Sequence, residues 1–289
     1  SLASISKGAS LYTLGKVVSD VGEFALHFLV SRWLGPVSYG LFAYGKTLAF
    51  SALLLTNLGS ETSILKYLPQ HEDDPTKRRF LLGLAWLTSF GGGLLVSGSL
   101  FVFAPTVSEF TLAEPRFIGI LRLFAAILFV DTLGNLLYAT FRAVELIEYE
   151  ILSKRLFKTL LRVAGVGIVI VLGGTLYDVV VALVAAGVVT LVVAGYLFLS
   201  RLGIRPSLRS PESTSRTVRE YYNYSLPLTF KEAGTLLQGR VDVLMVGLFL
   251  SSTAVGIYNV AVLIAGVLYI PLLAVDQLFP PLASKLVAQ

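Results

Sequence analysis

Eight long apolar runs, at about 8–31, 40–66, 81–104, 117–140, 156–173, 178–200, 221–250 and 254–280, constrain this chain more than any other feature. A run of ~20 apolar residues crosses a ~30 Å hydrocarbon core as a helix, whereas a barrel strand needs only about 10 and alternates along its length. These runs do not alternate. Each must therefore satisfy its backbone hydrogen bonds internally, as helices do. Composition agrees: 55% of residues are hydrophobic, 14% are charged and the mean hydropathy is +0.78, against roughly 25% charged in an ordinary soluble domain. The expected fold class is an all-α integral membrane protein. With no cysteine, disulfides and thiolate metal sites are excluded. No cleavable signal precedes the first run, which is expected to act as its own insertion signal.

Basic residues divide unequally between the two sets of connections. One set carries Lys7, Lys77–Arg79, five basic residues from Arg142 to Arg162, five from Arg201 to Arg219, and Lys285; the other has only Arg32, Arg116 and Arg122, so the ratio is 15 to 3. The positive-inside rule then places the N-terminus in the cytoplasm of a multi-pass cell-membrane protein. The outer links at Gly35-Pro36 and Gly173-Gly174 read as short turns.

The first run is not uniformly apolar. Lys16, Asp20, Glu23 and His27 lie at offsets of 4, 7 and 11, which puts all four within about 60° on a helix. Such groups are costly in lipid and face a bundle interior, a wet cavity or one another, so the stripe reads as a transport pathway. The alternative is helix-gluing ion pairs, Lys16 with Asp20 first among them. Lys46, Asn57 and Glu61 in the second run and Asp131 with Asn135 in the fourth extend the polar lining, while Lys66 and Arg122 sit where long side chains snorkel to the interface. The glycines 91–93 read as a close helix contact. The fifth and sixth runs look like lipid-facing scaffold, and the link from Glu145 to Lys158 like a solvated or headgroup-contacting helix.

Arg201 to Tyr222 is polar and rich in Ser, Pro and Arg, the composition of a linker. It suggests a six-helix lobe over 1–205 and, over 206–289, a linker and the first two helices of a second lobe. A shift of 215 aligns Leu11–Phe28 with Leu226–Val243, setting Lys16 on Lys231, Asp20 on Thr235, Glu23 on Gln238 and His27 on Asp242; one residue further on, Gly40 falls on Gly256. Copies separated by six spans share one orientation, which makes this a parallel repeat. Pro227 and Pro271 predict kinks in the last two spans.

Several chemistries lack their residues. His27 and His71, the two histidines, fall in no metal-binding spacing, and no phosphate-binding Gly-rich loop ends in Lys-Ser or Lys-Thr. No cofactor, metal or nucleic-acid partner is expected, and the chain reads as a non-enzyme.

The opening run KGASLYTLGKVV, the stretch LVSRWLGPVSYGLFAYGKTLAF with its Arg32-to-Gly40 signature, TNLGSETSILKYLPQ, and the later RVDVLMVGLFLSSTAVGIYNVA together resemble the polysaccharide and O-antigen flippases. These belong to the multidrug/oligosaccharidyl-lipid/polysaccharide exporter superfamily. The resemblance implies a MATE-like fold of two six-helix lobes around a cavity, of which this chain carries one lobe and the start of another. It also implies transfer of a lipid-linked oligosaccharide from the cytoplasmic to the outer leaflet by alternating access. The candidate cavity residues are then Lys16, Asp20, Glu23, His27, Lys46, Asn57, Glu61, Asp131, Lys231, Gln238 and Asp242. The lysines are candidates to attract a diphosphate, and the acidic residues and His27 to bond sugars or carry a coupling proton or sodium. A drug or metabolite antiporter is the alternative. A membrane glycosyltransferase or ligase would need longer outer loops.

Overall fold

The computed structural model describes residues 2–209 and 214–266; the end of the eighth run, with Pro271, and Lys285 lie outside the described residues. In chain order the helices are α1 (Leu2–Asn57), α2 (Ser60–Gln70), α3 (Pro75–Val102), α4 (Ala104–Phe110), α5 (Pro115–Ala143), α6 (Ile147–Glu150), a π-helical turn (Ile151–Phe157), α7 (Lys158–Val171), α8 (Leu176–Arg201), α9 (Thr214–Gln238), α10 (Val241–Phe249) and α11 (Ser252–Gly266). No strand occurs among the described residues.

α1 is two arms rather than one rod. Gly35 takes φ 73° and ψ 174°, a conformation closed to most side chains, and Pro36 restarts the helix with its φ already set. In a straight helix, residues 23 apart would be separated by about 34 Å. Here Glu23 and Lys46, 23 residues apart, are hydrogen-bonded, so the chain doubles back at Gly35. The second arm ends where Leu58 (φ 46°) and Gly59 (φ 74°) turn left-handed. There the Asn57 carboxamide oxygen accepts the Gly59 N–H at 3.0 Å, replacing the helical bond, and α2 leaves at a bend of 40°.

α3, α5 and α8 are each long and apolar enough to cross a membrane, and α1 with α2 pass the same test across their bend. Several of the eight expected spans are broken or extended in the structure. The second run breaks at Leu58-Gly59, the fifth starts at Ile147 and includes the π turn, and the seventh is split. α9 continues through Pro227, and the break comes later, where Gly239 closes α9 on Thr235 and Arg240 opens α10 at φ −140°.

In lipid, burial of apolar surface does not hold helices together; close packing and polar contacts do. Accordingly Gly92 of α3 lies against the backbone of Thr56 and Gly93 against Thr132 and Phe129, while Gly91 faces open space. The Thr56 and Thr132 hydroxyls approach to 2.8 Å across the α1–α5 contact, and the hydroxyls of Thr47, Thr88, Thr132, Thr140 and Thr190 each lie within hydrogen-bond reach of the carbonyl four residues back. One apolar cluster joins Leu26, Tyr39, Phe42, Phe117, Phe124 and Val179 to Val243 and Val255; a second joins Ile64, Leu81, Leu136 and Phe198 to Tyr221. The helices after the linker thus pack into both. The linker itself is tied down, since Ser207 donates to the Arg79 carbonyl at 3.0 Å and passes over Gly83. Leu95, Val171 and Leu199 are among many large apolar residues left exposed, a surface suited to lipid.

A reciprocal crossing joins the second arm of α1 to α11. A Cβ at Gly40 would meet the Ser252 carbonyl and the Gly256 nitrogen, and one at Gly256 would meet the Pro36 carbonyl and the Gly40 nitrogen. One offset of 216 carries Pro36 to Ser252 and Gly40 to Gly256, so each element touches the other through the same positions. That is the signature of a local two-fold relation. The partner pairs repeat as well, because His27 packs on the Phe42 ring at 5.7 Å while Asp242 accepts from Tyr258 at 2.9 Å.

Candidate functional site

A cavity of about 350 Å³ opens between the two arms of α1, α5 and the π turn with α7. Its polar lining is Ser19, Asp20, Glu23, Lys46, Asp131, Asn135, Lys154, Lys158 and Arg162. Its walls are closed by apolar groups, among them Leu26, Phe42, Phe50 and Phe124. α1 supplies Asp20 and Glu23 from one arm and Lys46 from the other, because the hairpin at Gly35 sets the two faces opposite.

Two charged clusters occupy the cavity. In the first, Lys46 bridges Glu23 and the His27 Nε2 (2.7 Å), and His27 reaches the Tyr39 hydroxyl through Nδ1 at 2.9 Å. An ammonium has only hydrogens to offer, so Nε2 accepts and the proton of the neutral ring sits on Nδ1, donating to Tyr39. The Asn259 amide donates to the same hydroxyl at 2.6 Å, carrying this chain of bonds to α11. In the second cluster, Asp131 of α5 accepts from Lys158 at 2.7 Å and lies 3.4 Å from Arg162. Asp131 and Lys158 are largely enclosed, with 22% and 13% of their side chains exposed.

The other sequence candidates are placed differently. Lys16 and Asp20 pair at 2.6 Å with 57% and 62% of their side chains exposed. Asn57 donates to Glu61 at 2.6 Å beside the α1–α2 bend. Lys231 and Gln238 are exposed on α9, and Asp242 is held in α10 by Tyr258. Lys231 lines a separate open groove of about 480 Å³ with Phe50, Leu54, Glu232, Thr235, Gly239 and Arg240. Lys66 lies over the Tyr224 ring at 3.6 Å and Arg122 over Phe101 at 5.1 Å.

Two expectations need correction. The fifth run is not plain scaffold: Lys154, Lys158 and Arg162 face the cavity. The link from Glu145 onward is not simply solvated either, because Glu150 is 2% exposed and pairs with Arg142 at 3.3 Å. Register explains the first of these. In an uninterrupted α-helix residues 154 and 162 drift apart by about 80°. The wider π turn at 151–157 winds the first four-residue step the other way and cancels most of that drift. A spacing of i, i+4, i+8 among three bases in an apolar run was the available signal. Tyr39, Arg240 and Asn259 carried none, since their partners are set by tertiary contact alone.

A family model described as polysaccharide biosynthesis protein matches residues 5–284. No curated protein matches the chain. Among solved structures it is similar to a multidrug resistance MATE family transporter of the MOP superfamily, inward-facing (14% identity, TM-score 0.65, covering 88% of this chain and 59% of that one). The outward-facing conformation of such a transporter is similar too (17%, TM-score 0.63, 92% and 59%). So is a MOP superfamily transporter from Pyrococcus furiosus whose reversed binding-pocket polarity suggests a different function (17%, TM-score 0.59, 96% and 71%). At these identities the likeness establishes a MATE-like fold. The chain spans 59% of the length of the first two.

Proposed function

The chain belongs to the polysaccharide biosynthesis protein family, and from that premise we propose that it forms part of a membrane transporter that flips lipid-linked oligosaccharides from the cytoplasmic to the outer leaflet. The observation that carries this reading is the open groove between α1 and α9–α10, where Lys231 and Arg240, two bases to the one carboxylate of Glu232, stand beside Phe50 and Leu54. A lipid diphosphate presents a dense anion joined to an apolar tail. Cations next to apolar surface, open to the side, suit both parts. The division into a lobe over 1–205 and the beginning of a second over 206–289 belongs to the same proposal, supported by the reciprocal Gly40–Gly256 crossing. So does a cytoplasmic N-terminus, supported by the basic bias of the connections.

Lys16 and Lys46 become secondary candidates for the headgroup because Asp20 and Glu23 already engage them. The same pairing weighs against cation-coupled drug antiport: Glu23 and Asp131 are each neutralised by the protein's own cations, which leaves them poorly disposed to take sodium. The test is flipping of a defined lipid-linked sugar by the full-length protein in vesicles. Lys231→Ala with Arg240→Ala should lower the rate at least tenfold without loss of insertion. An unchanged rate would refute the groove assignment.

A further inference from the structure

The 350 Å³ cavity is lined wholly by residues before the linker and shares only the Phe50 wall with the groove assigned to the transported lipid. Its charge does not balance. Four basic side chains, Lys46, Lys154, Lys158 and Arg162, face three carboxylates, and one of those, Asp20, is already held by Lys16. Glu23 answers Lys46, while Asp131 alone answers both Lys158 and Arg162. Lys154 makes no ion pair within 4.0 Å among the described residues; it lies 5.3 Å from the Tyr138 ring, with Glu61 and Glu150 acting from farther away. Arg162 offers one nitrogen to Asp131, and its buried Nε has no acceptor.

We infer that this cavity holds a phosphate-class oxyanion between Lys154, Lys158 and Arg162. Cations gathered in a poorly solvated site without matching carboxylates repel one another, and a multivalent anion is the ligand that relieves this. The guanidinium presents a planar fork, so an oxyanion can take the unmatched Nε together with a neighbouring N–H, a geometry that phosphate oxygens match. Space allows it: the cavity falls in the ~300–1,000 Å³ range of small-molecule sites. A second hollow of about 140 Å³, lined by the same three bases with Gly22 and Thr159, adjoins it. The π turn draws the three closer to one line than the ~80° spread an all-α segment would give Lys154 and Arg162. The anion is either free phosphate or diphosphate bound beside the transported lipid, or the headgroup of that lipid at one stage of its passage.

The test uses the full-length protein in nanodiscs, with melting temperature and calorimetric titration as readouts. Inorganic phosphate and diphosphate should each raise the melting temperature saturably, by about 3 °C or more at saturation, while chloride at equal ionic strength should not. Lys154→Gln with Arg162→Gln should reduce phosphate affinity at least tenfold, and Arg201→Gln, an exposed base at the end of α8, should leave it unchanged. If the first double variant fails to insert, Lys154→Gln alone and the charge-keeping Arg162→Lys are read; both should weaken binding. A short-chain polyprenyl diphosphate separates the two sources: competition with inorganic phosphate identifies a headgroup station, and independent binding identifies a free-anion site. Absence of a saturable phosphate effect, or one undiminished in the Lys154 and Arg162 variants, overturns the inference. Loss of flipping in the Lys231 and Arg240 variant with phosphate binding intact leaves it standing, so it can fail separately from the proposed function.

Discussion

Gly40→Ala probes the crossing between α1 and α11 with one methyl group. Built on the observed backbone, that methyl falls onto the Ser252 carbonyl oxygen, 2.6 Å from its carbon and 3.0 Å from the Gly256 nitrogen. Both neighbours are backbone, so no side chain can swing aside and the two helices must part by more than about 1 Å. Overpacking of this kind costs roughly 1–3 kcal/mol. Parting also stretches the 2.6 Å bond from Asn259 to Tyr39 and the 3.4 Å contact from Tyr44 to the Leu244 carbonyl, a further loss of about 1 kcal/mol for the buried bond. The touching arrangement is then disfavoured by about 2–4 kcal/mol, which moves a two-state population by roughly 30- to 700-fold at 1.4 kcal/mol per decade. Spin labels at Val37 and Ile257, both exposed, would report the separation in the full-length protein. The distance distribution should shift outward in Gly40→Ala and equally in Gly256→Ala, whose methyl meets the Pro36 carbonyl. An unchanged distribution with an unchanged melting temperature would refute the steric reasoning, and unlike effects of the two substitutions would refute the local two-fold relation.

Asp131→Asn removes the carboxylate shared by Lys158 and Arg162; the loss should be about 3–5 kcal/mol, seen as a lower melting temperature that added phosphate partly restores. Tyr39→Phe deletes the hydroxyl that joins His27 to Asn259 and should cost about 1–3 kcal/mol; an effect under 0.3 kcal/mol in denaturant titration would mean that link bears no weight. Gly83→Val directs bulk at the Ser207 carbonyl, 2.5 Å from where a Cβ would stand, and should speed proteolysis of the 202–209 strap, whereas Gly91→Val, facing open space, should not. A cysteine at Arg205 should resist an impermeant thiol reagent in intact cells, and ready labelling would reverse the proposed orientation.

Periodicity along the chain was enough to read the all-α membrane class, the turns at Gly35 and Gly173, and the polar face from Lys16 to His27, because each depends on residues within a turn or two of one another. The shift that pairs Gly40 with Gly256 was also legible, although its meaning as a contact was not. Tertiary structure decided which charge meets which. Glu23 is answered by Lys46 across the hairpin and not by Lys16 two turns away on the same arm; Tyr39 meets an asparagine 220 residues later. It also decided where helices break. The π turn at 151–157 leaves no composition signal, since a register change needs no unusual residue, and Gly59 alone does not announce that Leu58 before it turns left-handed as well. Basic residues counted along the chain as markers of one membrane side therefore turned inward at Lys154, Lys158 and Arg162. A charge tally records how many cations a segment carries, while helical phase and the neighbouring helix determine whether they face water, lipid or a cavity.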